Sequence, residues 1–367
     1  MSVVQETILD IDLKALQHNF EYLKSTLNKK TKTLAVVKAF GYGTSACKIA
    51  KRLEELKVDY FAVAYAKEGV SLREAGIKTP ILILHPQPVN FKTIIEHNLE
   101  PNIYSKRVLE AFIEEAEAEN KKDYPIHIKF NTGLNRLGFS ENDMDVILTI
   151  IQDTKSVKIS SIFSHLAASE DLNEKIFSEN QINIFKRITS QFMSKLEYQP
   201  MLHITNTSGV LNYPEAHFDM VRLGIGLFGF SNGEKHTKKL KNVAALKSVV
   251  SQIHLIEKGQ SVGYNRAFIT DKLIRTATIP IGHADGIHRA FGKGNGYVTI
   301  HGKKALIVGN VCMDMIMVNI TDIDCQEGDE VIIFDSQEKV NDLAQKINTI
   351  SYEILTAISQ RVKRVVN

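Results

Sequence analysis

Cysteine is scarce in this sequence. Cys47, Cys312 and Cys325 are scattered among 367 residues, with no C-x-x-C pair. Such a set excludes a disulfide scaffold and a zinc ribbon, points to a reducing compartment, and gives no reason to expect a metal. A surplus of one charge is also missing: 45 Lys and Arg against 42 Asp and Glu leave a net +3. That suits a small anionic ligand and falls short of a nucleic-acid binder. No apolar stretch nears the ~18 residues that cross a bilayer. Residues 1–6 carry neither the basic nor the apolar part of a secretory leader. A soluble, cytoplasmic protein with no membrane partner is therefore expected. Its 24% charged and 44% apolar residues are those of a globular chain. At about 150 residues per domain, the length suggests two domains.

What the chain does have is alternation. Leu13, Leu16, Phe20, Leu23 and Leu27 are spaced for one face of a helix. Short apolar runs follow at 34–37, 60–63, 81–84, 100–103, 126–130, 157–163, 201–204 and 219–223. Helical stretches such as 105–120, 143–153 and 173–196 separate most of them. Buried strands alternating with helices in this way predict a closed (β/α)8 barrel of the TIM type over residues 11–235. An open doubly wound α/β sheet is the alternative. The polar segment 231–239 reads as a solvated linker. Residues 236–367 are rich in Val, Ile and Thr with glycine-punctuated turns, and read as a mostly-β C-terminal domain. Strands are expected at 305–308 and 330–334, a hairpin turn at Gly302 and a helix at 341–347. The segment 1–10 has no barrel role and is expected to add a strand to this second domain.

Lys38 directly follows the first barrel strand, in Val36-Val37-Lys38-Ala39-Phe40-Gly41-Tyr42-Gly43. Barrel active sites are built at that end of the strands. Against apolar walls an ammonium pKa falls, which suits a lysine that bonds to carbonyl groups. Alone, it reads equally well as a lysine pointing to solvent. Other strands end in a similar way. Lys129 and Arg136 bracket the turn after strand five, and His165 follows strand six. His203 lies in strand seven ahead of Asn206, Thr207 and Ser208. Arg222 lies in strand eight ahead of Gly224-Ile225-Gly226. One such residue is noise; several at one barrel mouth make a site. Glycines and hydroxyls after strands seven and eight are where barrels hold a phosphate. In the second domain Gly263-Tyr264, Cys312-Met313-Asp314 and Tyr352 stand out. Cys312 reads as a buried apolar residue. Asp314, inside the apolar run 311–320, needs a partner if buried.

Together these segments resemble the alanine racemase family. The motifs that carry the likeness run in order along nearly the whole chain. They are Ala35-Val36-Val37-Lys38-Ala39, Asn131 to Gly138, His203-Ile204-Thr205-Asn206, Val221-Arg222-Leu223-Gly224-Ile225, Val262-Gly263-Tyr264, Val311-Cys312-Met313-Asp314 and the Tyr352 segment. The resemblance implies a pyridoxal 5'-phosphate enzyme that joins an α/β barrel to a β domain. Lys38 would bond the cofactor aldehyde. Tyr42, Thr207, Gly224, Ile225 and Tyr352 would hold the phosphate, with Asn206 beside them. Arg222 would face the pyridine nitrogen and His203 would stack near the ring. Arg136 would contact the cofactor's phenolic oxygen and the substrate, supported by a carbamylated Lys129. Tyr264 would be the second catalytic residue, hydrogen-bonded to His165. It would arrive with Met313 and the supporting Asp314 from the other subunit of a homodimer.

The implied reaction interconverts L- and D-alanine, supplying D-alanine for peptidoglycan. It needs one acid/base group on each side of the bound amino acid: Lys38 and Tyr264. A tyrosine, with an ordinary pKa of ~10, needs cationic neighbours to act as a base near neutrality. His165 and Arg222 would supply them. A guanidinium at the ring nitrogen donates no proton, which counts against the decarboxylases of this fold. The β domain counts against a barrel-only cofactor carrier. Alanine is not separated from serine or a broader range. Phe40 stands where the family has Asn or Asp, and His283 where it has a tyrosine lining the substrate entrance.

Overall fold

The structure is a computed structural model that describes residues 4–231 and 233–367. Residues 1–3 and Asn232, parts of the expected first strand and linker, lie outside the described residues.

Eight strands build the first layer of the site. They are β2 (Lys32–Val36), β3 (Tyr60–Val63), β4 (Ile81–Ile83), β5 (Glu100–Ile103), β6 (Tyr124–Lys129), β7 (Val157–Phe163), β8 (Met201–His203) and β9 (Met220–Leu223), after a first strand β1 (Ile8–Ile11). They pair in the order β8-β7-β6-β5-β4-β3-β2-β9, all in parallel. Backbone N–H groups of Asp219 and Arg222 donate to Leu202 O and Thr205 O, both at 3.1 Å, and tie β9 to the β8 side. That closes the barrel. Strands covered on both faces need continuous apolar runs, and Ile81, Leu82 and Ile83 have no exposed surface at all. Intervening helices, such as Lys106–Ala118 and Lys175–Met193, pack Leu109, Phe112, Phe185 and Phe192 inward.

The second domain holds β10 (Ala244–Val249), β11 (Gln252–Ile256), β12 (Ser261–Val262), β13 (Phe268–Ile269), β14 (Ile274–Ile279), β15 (Tyr297–Ile300), β16 (Lys303–Val308), β17 (Ile316–Asn319), β18 (Glu330–Phe334) and β19 (Lys363–Val366). One nine-stranded sheet runs β11-β14-β17-β16-β15-β18-β10-β1-β19. β1 is antiparallel to β10 and parallel to β19, so both chain ends join this sheet. His301 and Gly302 connect β15 to β16 with φ of 47° and 77°. Two positive φ angles are what a two-residue hairpin turn requires, which is why glycine serves there. The expected helix at 341–347 starts earlier, as Gln337–Lys346, because the Ser336 side chain accepts from the Lys339 N–H and caps it. The linker includes a short helix, Glu234–Thr237. Among the described residues, no helix is long and apolar enough to cross a membrane.

The domains meet over the barrel mouth. Helix Ser351–Thr356 lies against the turn that follows Lys38, with Tyr42 and Tyr352 ring centroids 6.1 Å apart. Arg364 donates to Gly43 O at 2.9 Å and Thr44 O at 3.2 Å. Any side chain at Gly43 would run into Leu355 O, 2.0 Å from its Cβ position.

Candidate active site

The chain after β2 takes an uncommon path. Ala39, Phe40, Gly41, Tyr42 and Gly43 all have positive φ, from 52° to 81°. Each non-glycine residue in this left-handed turn costs roughly 1–2 kcal/mol. The turn is held by N–H donors of Gly41 to Val37 O (2.9 Å), Gly43 to Ala39 O (2.8 Å) and Ala39 to Glu68 Oε1 (2.6 Å). It brings Lys38 and Tyr42, four residues apart, onto the wall of one cavity of about 520 Å³.

That cavity is strongly cationic. Lys38, Lys129, Arg136 and Arg222 all line it. Burial, and then Arg136, lower the Lys38 pKa, while Glu68 opposes them. Lys129 is pushed down to about 8 by burial and by Arg136, Arg222 and Lys38. Arg222 is buried. Its Nη1 donates to His203 Nδ1 (2.7 Å), and the two hydrogens of Nη2 are shared among Ser164 O (2.8 Å), Ile204 O (2.8 Å) and His165 Nδ1 (2.9 Å). None of these bonds uses Nε. Burial and Arg136 lower its pKa to about 9, so it stays charged at neutral pH.

A set of donors lines the same cavity. The Tyr42 and Tyr352 hydroxyls, Thr207, Gly224 and Ile225 converge there. Burial and the neighbouring Tyr352 raise the Tyr42 pKa; burial and Glu170 push Tyr352 up to about 12. Both phenols therefore remain O–H donors at neutral pH. The Gly224 and Gly226 N–H groups donate to Thr207 Oγ1 at 3.0 and 3.3 Å. A Cβ on Gly224 would stand 2.6 Å from the Tyr42 hydroxyl. Only a residue without a side chain lets that phenol reach the cradle. Asn206 lines the cavity too, with Oδ1 accepting from the Gly209 N–H (2.9 Å) and Ser169 Oγ (2.7 Å).

Several expectations need correction. His203 does not line the cavity; it is fully buried. Its ring stacks on Phe163 (4.7 Å, 2°), and Phe163 is the residue that faces the cavity. The ring that does line it is His165. His165 is not a cation: burial, Arg222, Lys129, Arg136 and Lys38 hold its pKa well below the ordinary value. Asp314 is exposed rather than buried, and Arg361 binds both it (2.6 Å) and Asp285 (2.6 and 3.0 Å). Cys312 is half-buried, not buried. Tyr264 and Met313, expected from a second chain rather than from this one, are not in the Lys38 cavity. They are 74% and 58% exposed and line a separate cavity of the β domain. Phe40 and His283 are exposed, and neither lines the Lys38 cavity.

Sequence reasoning missed His85, Phe163 and Leu137 as cavity residues. His85 follows β4 in Ile83-Leu84-His85, much as Lys38 follows β2. The same rule would have found it. Phe163 carries no such signal, because an apolar strand end looks like core.

An amine of lowered pKa beside hydroxyl and backbone donors, at the C-terminal mouth of a parallel barrel, is the placement in which barrel enzymes build their active sites. The N-terminal domain profile of alanine racemase matches residues 11–232 and the C-terminal domain profile matches residues 243–366. The chain belongs to the alanine racemase family, whose members are pyridoxal-phosphate-dependent isomerases. An alanine racemase of Caldanaerobacter subterraneus is 35% identical over 371 residues, covering 99% of this chain and 95% of that protein. The alanine racemase of Clostridium difficile 630 has a TM-score of 0.94 at 32% identity, covering 100% of this chain and 97% of that one. One from Bartonella henselae, with covalently bound pyridoxal phosphate, has a TM-score of 0.88 at 31% identity and covers 99% of both chains.

Proposed function

We propose that this chain racemises alanine in both directions with pyridoxal 5'-phosphate, as a cytoplasmic homodimer that supplies D-alanine for peptidoglycan. The observation that carries the reading is the single cavity in which Lys38, Arg222 and the Tyr42–Thr207–Tyr352 hydroxyls converge. The donor set fits the cofactor. Glycine at 224 leaves the Tyr42 hydroxyl the space that a Cβ would take, 2.6 Å from it. Tyr42, Tyr352, Thr207, Gly224 and Ile225 would hold the phosphate, Lys38 the aldehyde carbon and Arg222 Nε the pyridine nitrogen. Arg136 would meet the phenolic oxygen. Lys129, with its amine pKa near 8, has the neutral fraction that a carbamate needs, and as a carbamate would be an anion for Arg136. The cofactor supplies the electron sink that makes the Cα–H bond of an amino acid acidic.

The chain's own residues then move one proton at Cα. Lys38 serves one side. Tyr264, brought by a second copy of the chain, serves the other. Arg222 occupies His165 Nδ1, so the ring's proton is on Nε2 and is available to a phenolate oxygen. The charge that favours the phenolate is Arg222, one hydrogen bond behind a neutral imidazole.

Cofactor-loaded protein added to L-alanine should bring the circular dichroism signal to zero, and D-alanine should decay to zero from the opposite sign. A steady signal with cofactor still bound overturns the reading. The cradle has its own test. Gly224→Ala should weaken pyridoxal phosphate binding about tenfold to a hundredfold, the cost of losing a hydrogen bond to a charged group. Absorbance titration of the cofactor-free protein measures it, and unchanged affinity would remove Tyr42 from the cradle.

A further inference from the structure

The barrel interior holds a line of polar side chains that ends at Arg222, and its other four members have no part in the reaction above. Glu100 opens β5, His127 lies within β6, Ser161 within β7, His203 ends β8 and Arg222 lies within β9. All five are buried. They touch in that order. Glu100 Oε2 is 2.6 Å from His127 Nε2, and His127 Nδ1 is 2.6 Å from Ser161 Oγ. Ser161 Oγ is 3.0 Å from His203 Nε2, and His203 Nδ1 is 2.7 Å from Arg222 Nη1. The strand register makes this possible, since His127 and Ser161 are paired across β6 and β7.

With His127 neutral, the chemistry of the two ends sets the direction of every bond. A guanidinium only donates and a carboxylate only accepts. Arg222 therefore donates to His203 Nδ1, His203 Nε2–H to Ser161, the Ser161 hydroxyl to His127 Nδ1, and His127 Nε2–H to Glu100. With both imidazoles neutral and Glu100 ionised, this is the assignment that satisfies all four links; a doubly protonated His127 would instead donate from Nδ1 to Ser161. Apolar side chains ordinarily fill the interior layers of such barrels. A buried polar group without a partner is costly, so a line like this is worth keeping only whole. Tyr60, which opens β3, lies beside Glu100 as well, and burial and the carboxylate raise its pKa.

We propose that Glu100 is a positioning residue for Arg222, acting through His127, Ser161 and His203. Its carboxylate fixes both imidazoles in the Nε2–H tautomer. That keeps His203 Nδ1 open to the guanidinium and holds the guanidinium on the cavity wall. The functional part of this proposal rests on the reading of Arg222 as the group facing the cofactor's pyridine nitrogen.

Nitrogen NMR of the histidine rings in cofactor-free protein reads the tautomers directly. His127 and His203 should both carry a proton on Nε2 and none on Nδ1; a proton on Nδ1 of either ring overturns the proposal. Glu100→Met, which offers His127 no oxygen acceptor, and Ser161→Ala holoenzymes should each lose about tenfold in kcat with KM unchanged. Each should shift the absorption band of bound cofactor in the same direction. The double variant should be no worse than either single one, because the line is already cut. Additive losses would refute it, as would a lowered melting temperature with kcat and spectrum unmoved. If loaded protein proves inert towards alanine while the tautomers and the shared spectral shift hold, the racemase reading fails and this one stands.

Discussion

Lys38→Ala should lose about 10³-fold or more in turnover, equally from L- and from D-alanine, because the variant lacks the acid/base group on one side of the substrate. It should also release its cofactor on dialysis, since no amine remains to bond the aldehyde. The fold should survive. Lys38 sits among Lys129, Arg136 and Arg222, and its own pKa is lowered by burial and Arg136, so its ammonium is disfavoured where it stands. Removing it takes a cation from a cationic cluster, and the melting temperature should hold or rise. Paired circular dichroism and thermal melts check both parts. Persistent racemisation in either direction would remove Lys38 from the chemistry.

Tyr264→Phe should cost about 10²- to 10³-fold in kcat while leaving the cofactor bound. The more telling result comes from mixing two inactive variants. If each site draws Lys38 from one chain and Tyr264 from the other, Lys38→Ala and Tyr264→Phe chains co-refolded in equal amounts form hybrid dimers. Each hybrid carries one intact site and one doubly defective site. With random pairing, about a quarter of wild-type activity should return. No recovery would mean that the two residues do not share a site across an interface. The motive is geometric. Tyr264, Met313 and Met315 are large exposed apolar residues around one cavity of the β domain, the sort of patch that marks an interaction surface.

Much of the barrel was legible because its strands are buried on both faces. Runs such as Ile81-Leu82-Ile83 leave few alternatives at that length, and five of the eight expected strands differ from the structure by at most two residues at an end while the others coincide. The mouth residues were legible for a related reason. Lys38, His165 and Arg222 are polar residues at the ends of apolar runs, and the barrel gathers such ends on one face. Asp314 has the partner that its place in an apolar run called for, although it is exposed. Its partner Arg361 lies 47 positions away and was invisible to any local rule.

The sequence by itself determined the order of strands and helices, the two-part division of character, and the residue types at the barrel mouth. These follow from local periodicity and from which residues interrupt it. Tertiary structure alone decided which of two histidines, His165 or His203, faces the cavity, since both sit at the ends of neighbouring strands and only the barrel's interior packing separates them. It also decided the left-handed turn that aims Lys38 and Tyr42 together, and the hydrogen-bonded line from Glu100 to Arg222. Hydrogen bonds and side-chain packing act over a few ångströms in space, between residues as distant in the chain as Arg364 and Gly43, 321 positions apart, and no spacing rule along the chain reads that distance.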